Sequence, residues 1–169
     1  MHNEALLLLA RGADTSELAC DAIWRWWQRL GRGRYWHASG LLVLCDCGGS
    51  NGYRSRVWKM ELQRLADDLQ LQIHVSHFPP GTSKWNKIEH RLFCHITKNW
   101  RGRPLRTFET VVELIGYTAT EAGLRVKARL DKRAYPTGRQ VTKAEMRTLA
   151  LHPHTFHGDW NYELRPRPS

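Results

Sequence analysis

Two carboxylates stand where chemistry would be expected of them. Asp46 closes the apolar run LLVLCD (41–46); a strand ending there puts the acid at the carboxyl edge of an open α/β sheet, the edge at which sites form. Glu89 follows within FPPGTSKWNKIEHRLF (78–93), just inside a stretch with helical spacing. Two acids from separate elements meeting at a sheet edge suit a divalent cation engaged in phosphoryl chemistry, because Mg²⁺ prefers hard oxygen ligands and keeps positions open for phosphate. The structural alternative for Glu89 is a surface ion pair with Lys87 or Arg91. A second metal reading takes Cys45, Cys47, His74 and His77 as zinc ligands. Cys-x-Cys with His-x-x-His is not a standard zinc spacing, and ordinary thiols with His77 beside the site account for the same residues.

The elements that must position these groups follow from periodicity. LLVLCD is a near-continuous apolar run of the kind found in strands covered on both faces. The turn GGSNG (48–52) brings backbone close to whatever sits over Asp46, although it lacks the lysine and spacing of a P-loop. From about Ser55 to Leu69, Trp58, Leu62, Leu65 and Leu69 form a helical stripe whose start is surrounded by Arg54, Arg56 and Lys59. LQIHVSHF (71–78) then alternates as a strand does. Strand, helix, strand at this length makes a right-handed crossover between parallel strands. Pro79, Pro80 and Gly81 end the second strand, and Thr82 or Ser83 caps the helix of Glu89. That helix is expected to turn Trp85, Ile88, Leu92 and Ile96 toward the sheet, leaving Lys84, Lys87, Arg91 and Lys98 outside.

Upstream, Ala5 to Ala10 reads as a brief strand, with a helix as the alternative at this length. Asp14 reads as the cap of a helix with Ala19, Ala22, Ile23, Trp26 and Leu30 in period and Gly31 as its stop. A replacement catalytic acid is the other reading of Asp14. Of three tryptophans, Trp26 is expected in the core and Trp24 and Trp27 at its flank, with base stacking as the alternative. Downstream, Arg101, Arg103 and Arg106 are phosphate candidates or a solvated loop. A helix is expected from Phe108 through Val111, Val112, Ile115 and Ala119 to Ala122, then an exposed strand LRVKARLD (124–131) and a Thr142/Glu145 capping box. The end, LHPHTFHGDWNYELRPRPS (151–169), reads as a tail packing back on the domain, its histidines without acids at ligand spacing.

A chain of 169 residues has room for one domain with a real core. Its 26 Lys and Arg against 16 Asp and Glu give a net charge of +10, which favours a polyanion such as nucleic acid as partner. The cysteines Cys20, Cys45, Cys47 and Cys94 read as reduced thiols of a cytoplasmic protein. The opening apolar run is too short to span a bilayer and lacks the basic start of a secretory signal, so no membrane association is expected.

The strings LLVLCDCGGSNGYRSRVWKMELQRLA (41–66) and HFPPGTSKWNKIEHRLFCHITKNWRG (77–102) closely resemble the catalytic core of bacterial insertion-sequence transposases of the Asp-Asp-Glu (DDE) type, and a weaker likeness runs from about Asn3 to about Tyr162. The resemblance implies an α/β, RNase-H-like (integrase-type) core with a mixed sheet and flanking helices. Asp46 would be the second acid of the triad and Glu89 the third, acting on DNA with two Mg²⁺ (or Mn²⁺) ions in cleavage and strand transfer. DNA would be met by Arg54, Arg56, Lys84, Trp85, Asn86, Lys87, Arg101 and Arg103, with Asn51 and His77 adjacent to the site. The partners implied are transposon ends, target DNA and full-length transposase subunits near the bacterial nucleoid. The first acid lies, in that family, on the first strand of the core, and this chain is expected to begin two strands later. The sequence therefore reads as a truncated carboxyl-terminal part, with a catalytic core over 1–125 and an extension over 126–169, inactive alone. A non-catalytic basic DNA-binding module is the alternative, and a basic scaffold without a nucleic-acid role a third.

Overall fold

The computed structural model of the chain describes residues 3–168. Its elements, in order, are β1 (Glu4–Ala10), α1 (Ser16–Trp26), α2 (Arg32–Arg34), β2 (Gly40–Cys45), α3 (Arg56–Leu69), β3 (Gln72–His77), α4 (Cys94–Trp100), α5 (Phe108–Gly116), β4 (Arg125–Asp131), α6 (Lys143–Met146), β5 (Leu151–Pro153) and β6 (Asn161–Leu164). They form two compact units, one of Met1–Ala13 with Lys84–Ala134 and one of Asp14–Ser83 with Tyr135–Ser169. Among the described residues no helix is long and apolar enough to cross a membrane.

The second of these units holds a mixed four-stranded sheet in the order β2-β3-β6-β5. β2 and β3 run parallel, from Gly40↔Gln72 to Cys45↔His77, as expected of a strand–helix–strand crossover. α3 makes that crossover. Ser55 caps it by accepting from the Trp58 amide, and its stripe of Trp58, Leu62, Leu65 and Ala66 is buried against Ile73, Val75, Tyr162 and Leu164. The tail is part of this sheet: β6 pairs antiparallel with both β3 and β5. Gln63, 1% exposed on α3, ties the hairpin down, its Nε2 donating to the Arg165 carbonyl at 2.8 Å and its Oε1 accepting from the Ala150 amide at 2.8 Å.

Four expectations are corrected in this unit. The N-cap of α1 is Thr15, whose side chain accepts from the Leu18 amide, and not Asp14. Gly31 does not stop the helix, which continues from α1 through a π turn (Trp27–Gly31) into α2. The glycine is needed because Trp27 lies across the turn, where a Cβ on residue 31 would come within 2.5 Å of the indole. The extra residue in the turn rotates Trp27 into the core, while Trp26 is half-buried beside it and Trp24 is exposed. Lastly, β2 is not covered on both faces: Leu42 and Leu44 are 61% and 55% exposed, alternating with half-buried Leu41 and Val43 and buried Cys45.

In the other unit β1 and β4 pair in parallel, from Glu4↔Arg125 to Ala10↔Asp131. Leu92, Ile96, Ile115, Leu124 and Val126 form its core, with Leu7 and Leu9 of β1 packed against them. β4 alternates as expected, with Arg125, Lys127 and Arg129 exposed and Val126 buried. Thr107 caps α5, which ends at Gly116 and not near Ala122. The reason is a reversal into β4, where the Val126 amide donates to the Thr118 carbonyl and the Gly123 amide to that of Thr120. Leu92 and Ile96 are buried as expected, but Trp85 and Ile88 are 60% and 40% exposed. Trp85 belongs to a separate 3-10 turn and Ile88 precedes the π turn Glu89–Phe93, so neither continues the stripe of α4.

Candidate functional site

Asp46 directly follows β2, and the chain on both sides of it is fastened to Phe78 beyond β3. The Phe78 amide donates to the Cys45 carbonyl at 2.8 Å, and the Cys47 thiol donates to the Phe78 carbonyl at 2.7 Å. The half-buried acid is thereby held at the carboxyl edge of two parallel strands. The chain then turns through Gly49, whose φ of 71° is left-handed, into the 3-10 turn Gly49–Asn51. His77, buried, has Nε2 3.0 Å from the Asn51 carbonyl and Nδ1 2.9 Å from the Trp160 carbonyl. It therefore acts as a brace between the glycine turn and the tail, and Asn51 contributes through its backbone. Asp14, released from capping, lies by the same turn: its Oδ2 is 3.8 Å from where a Cβ on residue 49 would stand.

Thiols flank Asp46, and both are kept protonated. Burial, then the charges of Asp46 and Cys47, push the Cys45 thiol up to about 12; burial and Asp46 also raise Cys47. The zinc set of Cys45, Cys47, His74 and His77 does not assemble. Both ring nitrogens of His77 contact carbonyls, the Cys47 thiol is engaged with Phe78, and alternation along β3 sends His74 to the opposite face from His77.

Glu89 belongs to the other unit. It opens the π turn Glu89–Phe93 that leads into α4, and its side chain is exposed. Its amide donates to the Asn86 carbonyl at 3.1 Å, and Asn86 Oδ1 accepts from the Ile88 amide at 3.3 Å, so Asn86 organises this helix start. A carboxylate in a first helical turn is favoured by the helix dipole. Among the described residues no ion pair joins Glu89 to Lys87 or Arg91.

The basic candidates divide in the same way. Lys84, Trp85 and Lys87 are exposed around Glu89, and Arg101 and Arg103 are exposed after α4. Arg54 follows the glycine turn of Asp46, its guanidinium over the Tyr53 ring at 5.1 Å and its Nε donating to the Tyr53 hydroxyl at 2.8 Å. Arg56 is partly committed, donating to the Val141 carbonyl at 3.1 Å.

One group was missed in the sequence. His74, His154 and Glu163 have ligand atoms all within 4.8 Å of one another. The tail histidines do have an acid at ligand distance, supplied across strands and not along the chain.

Searches among curated proteins and among solved structures gave no significant match. The profile of one family, described as Rhodopirellula transposase DDE domain, matches residues 1–166. A match over nearly the whole chain, on an α/β fold with a mixed sheet, makes this protein a member of the Rhodopirellula transposase DDE domain family.

Proposed function

We propose that the chain serves DNA transposition, with Asp46 and Glu89 as metal-binding acids of a phosphodiester-cleaving and strand-transferring site in an RNase-H-like core. The observation that carries this reading is the family match over residues 1–166. The parallel β2–β3 pair with α3 crossing between them supports it, since Asp46 then stands at the strand edge where such sites form.

The donor chemistry around Asp46 fits a hard cation, because Cys45 is buried and the Cys47 thiol is engaged with the Phe78 carbonyl, which leaves carboxylate oxygen as the ligand type at this edge. Mg²⁺ or Mn²⁺ held there supplies Lewis acidity and neutralises charge on the phosphodiester. The chain's own contribution is to fix Asp46 through the Phe78 hydrogen bonds and to brace the following turn through His77. Lys84, Lys87, Arg101, Arg103 and Arg54 offset phosphate charge, and exposed Trp85 offers a face for a base or sugar. The first acid of the triad has no residue assigned to it in this sequence. The isolated chain is therefore expected to bind DNA without turning it over.

The test is plasmid nicking in Mg²⁺ or Mn²⁺ by the wild type and by Asp46→Asn, Glu89→Gln and Asp14→Asn, with DNA binding followed in parallel. Metal-stimulated DNA association that Asp46→Asn and Glu89→Gln remove, without nicking, supports the reading of an incomplete site. Nicking abolished by all three substitutions keeps both assigned acids and makes Asp14 the first acid of the triad. DNA binding indifferent to metal and to both acids would overturn the catalytic assignment in favour of a basic DNA-binding module.

A further inference from the structure

β6 lies between β3 and β5, and this places Glu163 opposite a histidine on either side: His74↔Glu163 in one ladder and His152↔Glu163 in the other. Directly paired residues project from the same face of a sheet, so the three form a row. His154, two residues beyond His152, falls on that face as well. Its ring centroid is 6.4 Å from that of His74. This is the face opposite Ile73, Val75, Tyr162 and Leu164, the residues buried under α3.

Glu163 is set up to offer one oxygen. Its Oε1 is held by Arg165, with Nε at 2.8 Å and Nη2 at 2.5 Å, while Oε2 stands 3.6 Å from His74 Nδ1. The side chains of Glu163 and His74 are 13% and 37% exposed, so the pair is drawn partly out of water. The backbone beneath is fixed, since the His154 amide donates to the Asn161 carbonyl at 2.9 Å and extends the β5–β6 hairpin.

From this geometry we infer that His74, His154 and Glu163 form a binding site for a zinc-class divalent cation, with Arg165 as the residue that orients the carboxylate. Two imidazole nitrogens and a carboxylate suit Zn²⁺ and its borderline neighbours, whereas Mg²⁺ prefers oxygen ligands throughout. Ligand atoms spread over 4.8 Å need only side-chain rotation to reach zinc bond lengths of about 2.0–2.2 Å. Three protein ligands leave a fourth position for water, for His152 or for a small anion. His154 also lines an open cleft of about 420 Å³ with His77, Phe156, His157 and Trp160. A bound ion would cross-link β3, β6 and the end of β5. It is independent of Asp46 and Glu89.

The test is titration of the metal-free full chain with Zn²⁺ by calorimetry, with Co²⁺ absorption reporting coordination and thermal melting reporting linkage to folding. The expected result is one ion per chain at this site and a melting temperature raised by zinc. Glu163→Gln and His154→Ala should each weaken binding by about 10- to 100-fold or more and abolish the zinc-dependent shift. Both variants should melt like the wild type in chelator, Glu163→Gln because it can still accept from Arg165 and His154→Ala because the side chain is exposed. His37→Ala, at an exposed histidine outside the site, should bind zinc as the wild type does. Failure of the wild type to bind, or binding that survives Glu163→Gln and His154→Ala together, would overturn the site and leave a His74–Glu163 ion pair.

Discussion

Asp46 and the thiols beside it are electrically coupled, and the coupling can be read from the sulfur. The charge of Asp46 holds the Cys47 thiol up, second to burial. Replacing Asp46 by Asn should therefore lower the Cys47 pKa and speed its alkylation, which peptide mass spectrometry after timed iodoacetamide exposure would register. Cys20 and Cys45, both buried and both raised by burial, should stay unmodified in the native protein. An unchanged Cys47 rate in the variant would mean that the carboxylate is not near the sulfur. At this scale much was legible in the sequence. Asp46 was located by the end of an apolar run, a purely local signal. The cap was read one residue early, because Asp14 and Thr15 are both good caps and only backbone geometry selects Thr15. His74, His154 and Glu163 were beyond reach, since their proximity comes from antiparallel register between distant segments.

Among the elements, α3 and the β5–β6 hairpin depend on each other through one buried amide. Gln63→Ala would strand the Ala150 amide and the Arg165 carbonyl, costing about 2–3 kcal/mol. Chemical denaturation would show this as a lower midpoint, and a change under about 0.5 kcal/mol would mean that the hairpin is held mainly by its ladder with β3. The strands β1, β2 and β3 and the helix α3 were evident because each carries a local signal, an apolar run in β1 and β2, an alternation in β3 and a helical stripe in α3. β5 and β6 were not, because a three-residue strand ending in Pro153 and a four-residue strand with Glu163 at an outward position carry too little pattern. The π turns after Trp26 and at Glu89 escaped for another reason. Each adds a residue to a helical turn, which shifts the phase of the apolar stripe without announcing itself in residue type.

For the whole molecule, a charge of +10 sets the terms of any encounter with DNA. Affinity should fall linearly in log–log form with salt, and Lys84→Ala or Arg101→Ala should each reduce that slope by about one while weakening binding evenly across sequences. Fluorescence anisotropy over a salt series would measure both, and slopes unchanged in the two variants would remove those residues from the DNA-contacting set. The two units are interleaved along the chain: Met1–Ala13 is completed only by Lys84–Ala134, and Asp14–Ser83 only by Tyr135–Ser169. On the ribosome this imposes a wait. β3 is made long before β6, its neighbour in the sheet, and at 5–20 residues per second the gap between them lasts on the order of 5–15 s. During that interval a nascent chain exposes the open edge of β3, so its yield in a cell should depend on holding chaperones and on translation speed through the stretch before β6.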